Sequence, residues 1–298
     1  MSKRPAGTLR PGTRSTGTAR LPRAPRKSAP LIAPDPLFNQ SVEKALAILD
    51  AFGGERRALN LVEMAAATGM TKSSSQRCVH TLERLGYLRR DAEAKRWVLS
   101  PRALSIAYAY LSGHPLIEQA TTHFVDLNQA CGESVSLSEP DDTEMVYVAR
   151  FPSHKRFFIH MPIGRRLPMY CTAAGRAYLS ALPRSEAIQI VRRSSLRSLT
   201  PMTIIDPDVL IARIDAAREA GYAWCERECN RGDLTIGAPI LGDDGRPIAA
   251  VNISGPTSRW TLDELCSKLS SVLIETARAA SSGLAARLGQ RPRDLLRV

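Results

Sequence analysis

Residues 68–88 read TGMTKSSSQRCVHTLERLGYL, and the two halves of this stretch obey different rules. In the second half Cys78, Val79, Leu82 and Leu85 recur at steps of three and four, the spacing of an amphipathic helix. The first half, Thr71-Lys72-Ser73-Ser74-Ser75-Gln76-Arg77, sets hydroxyls, amides and cations where a helix prefers Ala, Leu or Glu. A helix that enters the DNA major groove needs such a beginning. Short polar side chains permit close approach, and cations and free backbone N–H groups meet phosphates. Ser73, Arg77, His80 and Arg84 form a stripe, with Gln76 beside it, that faces away from the apolar residues. Ser73, Gln76 and Arg77 are the expected base-edge readers, since Arg matches guanine and Gln matches adenine. Lys72, Ser74, Ser75 and Arg84 are expected at phosphates, and Thr71, as N-cap, opens the same surface.

The flanking residues turn this helix into a motif. Asn60 can cap a short helix running through Ala67, and Gly69 suits the left-handed position of a tight turn. Ala65, four residues before Gly69, is small enough for two helices to cross closely, which completes a helix-turn-helix pattern. Upstream, SVEKALAILDAF places Val42, Ala45, Leu46, Ile48, Leu49 and Phe52 on one helical face, with Ser41 as the expected N-cap and Gly53-Gly54 as the stop. After Gly86, YLRR and RWVLS read as short strands around the turn Asp91–Ala94. Arg89, Arg90, Lys95 and Arg96 flank this wing and are expected on backbone or in the adjacent minor groove.

Charge supports a polyanion partner. The 298 residues carry a net +12, of which +7 falls in residues 1–36, +4 in 37–110 and only +1 in 111–298. The first 36 residues are rich in Arg, Pro, Gly, Thr and Ser and nearly lack large apolar side chains, so a disordered basic tail is expected there. No apolar run approaches about 18 residues, so no membrane helix is expected. Six scattered cysteines without a secretory signal point to reduced thiols in a cytoplasm. Cys225-x3-Cys229 is the one close pair, and it lacks the further ligands of a zinc site.

Beyond the wing the periodicity alternates. RALSIAYAYLSG reads as a linker helix and PLIEQATTHFVDLNQACG as a second helix ending at Gly132. ESVSLSEP, EMVYVAR and RFFIHMP read as strands, and YCTAAGRAYLSALP as a helix. In DPDVLIARIDAAREAG, Asp206 is the expected N-cap, Pro207 the first helical residue and Gly221 the stop. GYAWC, LTIGAPIL and PIAAVNISG are strands, and a long final helix opens with a Thr261/Glu264 capping box. The fold class is α+β. The expected organisation is a tail at 1–36, a winged helix-turn-helix at 37–100, a linker helix at 101–114, a second domain at 115–290 and a tail at 291–298.

Thr172-Ala173-Ala174-Gly175 opens its helix with almost no side-chain bulk, so a small carboxylate can rest against the exposed N–H groups with help from the helix dipole. Enzyme readings find no support. His114, His123, His154 and His160 lack a nucleophile-elbow partner, and there is no P-loop, no H-E-x-x-H and no dinucleotide fingerprint, so no cofactor is expected. Two alternatives stay open: a thiol-based sensor or enzyme using Cys171 at its helix start, and an architectural DNA binder indifferent to any metabolite.

With both halves read, the chain resembles the IclR family of bacterial transcriptional regulators from about Asn39 to Leu288. The resemblance is carried by SVEKALAILDAF, GMTKSSSQRCVHTLERLGYLRR, GRRLPMYCTAAGRAYLSALP and GYAWCERECNRGDLTIGAPILGDDGRPIAAVNISGP, in that order and spacing. It implies a GAF-like α/β effector-binding domain at the C-terminal end, self-association as a dimer or tetramer, a pseudopalindromic double-stranded DNA operator and a small organic acid effector, aromatic or dicarboxylic. It also implies that Thr172, Ala173 and Ala174 line the effector pocket together with Cys225, Thr235, Asn252 and Ser254, with Met169 and Tyr170 as an apolar wall. The chain departs from a common pattern: Cys225 stands where some relatives have Asp, and Thr235 and Asn252 where some have Cys and Ser.

Overall fold

The computed structural model describes residues 35–53, 56–91, 93–155 and 161–288, with side chains described up to residue 282. The expected tails at 1–36 and 291–298 lie outside the described residues, apart from Asp35 and Pro36. The chain divides into two compact units, one up to Ala109 and one from Tyr110 onward.

The first unit holds α1 (Gln40–Ala51), α2 (Leu61–Thr68) and α3 (Lys72–Arg84). They precede an antiparallel hairpin of β1 (Leu88–Asp91) and β2 (Arg96–Leu99). Asn39 caps α1 instead of the expected Ser41, because its side chain accepts from the N–H groups of both Ser41 and Val42. Asn60 and Glu63 form a reciprocal capping box at α2, and Gly69 takes the left-handed turn at φ 70°. Ile48, Phe52, Leu59, Met64, Val79, Leu82, Leu88 and Trp97 make one core. Leu85, expected on the apolar stripe, is exposed: α3 ends at Arg84, and the chain turns at Gly86 with φ 79°. After a 3-10 turn at Pro101–Ala103 comes α4 (Leu104–Ser112), an apolar helix with no buried residue.

The second unit runs α5 (Pro115–Cys131), β3 (Ser134–Asp141), β4 (Glu144–Phe151), β5 (Arg166–Pro168), α6 (Ala173–Ala181), α7 (Arg184–Arg193), α8 (Pro207–Ala220), β6 (Ala223–Glu226), β7 (Asp233–Leu241), β8 (Pro247–Pro256) and α9 (Leu262–Leu288). The sheet is antiparallel in the order β5-β4-β3-β8-β7-β6. Strand alternation divides its side chains between two covered faces. Val135, Leu137, Ile236, Val251 and Ile253 pack under α5 and α9, while Ala250 joins Leu179, Leu210 and Ile214 beneath α6 to α8.

Two elements escape the sequence pattern. In α7 only Ala187 and Val191 are buried among polar neighbours, and β5 is three residues long. The expected strand RFFIHMP begins at Arg156–His160, which lie outside the described residues, while Met161 and Pro162 are not in a strand.

A buried ion pair ties α6 to the loop between β6 and β7. Arg176 donates through both terminal nitrogens to Glu228 at 2.7 and 2.6 Å and through Nε to the Tyr170 carbonyl, and both charged side chains are at most 3% exposed. Glu228→Gln leaves a buried cation without its counter-charge, so a loss of about 3–5 kcal/mol is expected in urea unfolding. The paired replacement Arg176→Met with Glu228→Leu is expected to lose much less, and equal losses would deny the pair its electrostatic role.

Candidate functional site

The first unit presents a polar, basic face. Lys72, Ser73, Gln76, Arg77, His80 and Arg84 are exposed on α3. Among the described residues none of Lys72, Arg77, Arg84 or Arg89 is paired with an acid. Thr71 caps the helix by accepting from Ser74 N–H, and its hydroxyl lies 3.2 Å from that of Ser73. Ser74 is half-buried, its Oγ near Met70 Sδ.

Ser75 overturns its expectation as a phosphate contact. It is fully buried, because it lies four residues before Val79 on the core side of α3. Arg96 is likewise committed elsewhere. It forks onto Glu63 at 2.8 and 2.7 Å and donates to the Ala58 carbonyl, so it braces the wing against α2. Arg90 lies 5.4 Å from the centre of the Trp97 ring, whereas Arg89 and Lys95 are exposed on the hairpin.

The second unit contains a narrow, partly open cavity between the sheet and the start of α6. Thr172, Ala173 and Ala174 line one wall, and Cys225, Thr235 and Asn252 line the sheet side. Strand register explains the grouping. Cys225 pairs with Thr235, Thr235 with Ser254, and Asn252 with Gly237, so these side chains leave the same face of the sheet. The helix approaches this face at backbone distance. A Cβ on Gly237 would fall 2.7 Å from the Ala173 carbonyl carbon, and one on Gly175 would fall 2.3 Å from Met169 Cα. Thr172 Oγ1 accepts from Gly175 N–H at 3.1 Å. No hydrogen bond engages the N–H groups of Ala173 or Ala174 among the described residues.

Met169 and Tyr170 do not form the expected wall. The 3-10 turn Met169–Cys171 drives both into the core beneath α6, where the Tyr170 hydroxyl donates to the Arg197 carbonyl at 2.7 Å and accepts from Arg197 N–H. Ser254 leaves the same face of β8 but, against expectation, does not line the cavity; its hydroxyl oxygen accepts from Asn252 Nδ2 at 3.1 Å. Tyr147, Met161 and Leu167 supply the apolar side instead.

Sequence reading gave no cavity role to the loop residues Arg227, Glu228, Cys229 and Asn230, or to Asp233 at the start of β7, all of which line the cavity. A polar loop between two strands carries no hydropathy signal that would place Glu228, Asn230 and Asp233 inside the fold, where the structure buries or half-buries them. Asn230 Nδ2, Asp233 Oδ1 and Asn252 Oδ1 are buried here without a hydrogen-bond partner among the described residues. Burial pushes the Asp233 carboxyl up to about 7, against the opposing pull of Arg150 and nearby Asn230. Among the described residues no group of three or more His, Cys, Asp or Glu is placed to hold a metal, and no helix is long and apolar enough to cross a membrane.

Residues 41–92 match the IclR helix-turn-helix domain, and residues 108–282 match the bacterial transcriptional regulator IclR C-terminal domain. The Pca regulon regulatory protein of Pseudomonas putida is 29% identical over 256 residues, covering 86% of this chain and 87% of that protein. The p-hydroxybenzoate hydroxylase transcriptional activator of Acinetobacter baylyi is 33% identical over 242 residues, covering 78% of this chain and 88% of the relative. The crystal structure of the Thermotoga maritima IclR superposes with a TM-score of 0.62 at 28% identity, over 82% of this chain and 98% of that one.

Because Asp233 holds its proton more tightly folded than unfolded, its contribution to stability is greatest in acid and declines as pH rises towards about 7. Asp233→Asn is therefore expected to stabilise the unliganded protein at pH 8, by on the order of 2–4 kcal/mol. The gain should vanish near pH 4 in urea unfolding. A difference independent of pH would show that the carboxyl does not titrate in this way.

Proposed function

The chain belongs to the IclR family of bacterial DNA-binding transcriptional regulators, and from that premise we propose that it reads a double-stranded operator and answers a small organic acid. The reading of DNA is assigned to the first unit, which matches the family's helix-turn-helix domain. The exposed face of α3 carries it, with Arg77 and Gln76 at base edges and Lys72 and Arg84 at phosphates. Arg89, Arg90 and Lys95 take the flanking backbone or minor groove. Ser75, buried in the core, makes no DNA contact, and Arg96 acts by bracing the hairpin.

The observation that carries the effector reading is the convergence of three buried, unpartnered polar atoms on a cavity beside open helix N–H groups. Buried polar groups without partners cost free energy, and a ligand that satisfies them recovers it. A carboxylate suits the first turn of α6, where the N–H groups of Ala173 and Ala174 and the helix dipole favour negative charge. At the other end the Asn252 Oδ1 acceptor suits a hydroxyl donor and opposes a second carboxylate, and Asp233 adds to this in its ionised form, above about pH 7. The proposed effector is thus a hydroxylated, aromatic-sized acid rather than a dicarboxylate. The name of the A. baylyi relative, an activator of p-hydroxybenzoate hydroxylase, points the same way.

The proposed active species is a dimer or a pair of dimers. Leu104, Ile106 and Tyr108 on α4 and Val42 and Leu46 on α1 are all more than half exposed. A second copy of the chain would cover them, as a two-fold operator requires. Ligand binding can change operator affinity only through a preference for one arrangement of the paired chains.

Arg77→Ala is expected to weaken binding to the operator by about 1–3 kcal/mol while leaving binding to random DNA nearly unchanged. Equal losses on both would assign Arg77 to phosphate. In a thermal-shift screen of the reduced protein, 4-hydroxybenzoate-like acids are expected to raise the midpoint more than dicarboxylates do. At a hundredfold excess over Kd the stabilisation is about 2.7 kcal/mol. Asn252→Ala and Ala174→Leu should abolish the shift, and an unchanged shift in both would place the ligand elsewhere.

A further inference from the structure

Three cysteines line the cavity, and two of them are in contact. Cys171 ends the turn that leads into α6, and Cys229 lies in the loop between β6 and β7. Their sulfurs are 3.4 Å apart, and the Cys229 thiol donates to the Cys171 carbonyl at 3.0 Å. A disulfide needs a sulfur separation of about 2.05 Å, so closure asks for a shift of roughly 1.4 Å shared between two side chains. Cys171 is fully buried, whereas Cys229 is partly exposed. The loop is anchored just before Cys229. Thr200 and Thr203 donate to the carbonyls of Arg227 and Glu228, and Arg176 grips the Glu228 carboxylate. Cys225 faces the same cavity from β6, buried and paired in register with Thr235.

We propose that Cys171 and Cys229 are a reversible redox pair whose disulfide fastens the β6–β7 loop to the start of α6 and so fixes two walls of the cavity. The oxidant is a peroxide. Cys229, the accessible member, attacks the peroxide as thiolate. The O–O bond breaks, Cys229 becomes a sulfenic acid, and water or an alcohol leaves. Cys171 sulfur then attacks the Cys229 sulfur, the S–S bond forms, and the sulfenic oxygen leaves as water after taking up the Cys171 proton. With hydrogen peroxide, two thiols and one peroxide give one disulfide and two waters. A dithiol reverses the reaction by exchange through a mixed disulfide.

The Cys229 thiol is pushed well above its ordinary range, first by its hydrogen bond with Cys171 and then by burial. Its thiolate is therefore scarce, and the pair responds slowly, to sustained oxidant rather than to trace peroxide. What the fixed walls mean for an acid ligand rests on the acid-binding reading above, but the disulfide chemistry does not.

The test treats the full-length protein with excess hydrogen peroxide, blocks remaining thiols and maps peptides without reduction. The expected product is one intrachain disulfide joining Cys171 to Cys229. Dithiothreitol should remove it, Cys225→Ser should retain it and Cys229→Ser should lack it. Trypsin should cut several-fold more slowly after the exposed Arg227 and Arg231 in the oxidised wild type, and at the unoxidised rate in peroxide-treated Cys229→Ser. The proposal is overturned if both thiols stay free to alkylate while other cysteines oxidise. It is equally overturned by a Cys171–Cys225 or interchain product, or by a disulfide that leaves tryptic cutting unchanged. A failure of acid binding would appear separately, in the thermal-shift screen of reduced protein, and would leave this result intact.

Discussion

The cavity depends on the backbone approach of α6 to β7. Gly237 offers no Cβ where the Ala173 carbonyl carbon sits, and Gly175 offers none where Met169 passes beneath it. A methyl group at either place would have to displace main chain, not a flexible side chain. This closeness brings a helix N-terminus to the sheet with only small residues, Ala173 and Ala174, between its open N–H groups and the cavity. The sheet side then decides what the cavity holds. Alternation along β7 and β8 sends Leu234, Ile236, Val251 and Ile253 to the core under α5 and α9 and leaves Asp233, Thr235 and Asn252 facing α6.

Polar groups in this region fall into two kinds, and the distinction separates scaffold from site. Arg176, Glu228, Thr200 and Thr203 satisfy one another or nearby backbone, which pins the loop between β6 and β7. Asn230, Asp233 and Asn252 each leave an atom without a partner on the cavity side. A fully satisfied buried network rigidifies its surroundings, whereas groups left incomplete around a cavity are open to a further partner. The first unit shows the same division. Glu63 and Arg96 lock the hairpin to α2, and the cations of α3 are left facing outward.

The winged helix-turn-helix was legible because its signals are local. Asn60, Gly69 and Thr71 fix caps and a turn within a dozen residues, and each acts through its own backbone. The facing of Ser75 was legible in principle, since stepping back four residues from Val79 places it on the core side, but a serine carries no hydropathy signal of its own. Gln40–Ala51 was placed correctly while its cap was misjudged by two residues, because Asn39 and Ser41 both have capping side chains. The strand Arg166–Pro168 is too short to set a period, whereas the helix Arg184–Arg193 carries Ala187, Ile190 and Val191 at helical spacing and was legible but unread. Thr172, Ala173, Ala174, Cys225, Thr235 and Asn252 follow from the sequence pattern and meet around the cavity, whereas Ser254 does not line it and the 3-10 turn takes Met169 and Tyr170 into the core. Asn230 and Asp233 were invisible because a polar loop between strands reads as solvent-facing until tertiary contacts turn it inward.

The central claim is a division of labour: one face of α3 reads nucleotides, and a separate cavity beneath α6 senses an acid. Hydrogen exchange on the full chain tests it most directly, once with promoter DNA and once with 4-hydroxybenzoate. DNA is expected to slow exchange at residues 71–84 and 88–96, and the acid at residues 171–176, 225–235 and 250–254. Protection by DNA that spares residues 71–84, or by the acid that avoids the α6 turn and the β6–β7 loop, would contradict the account.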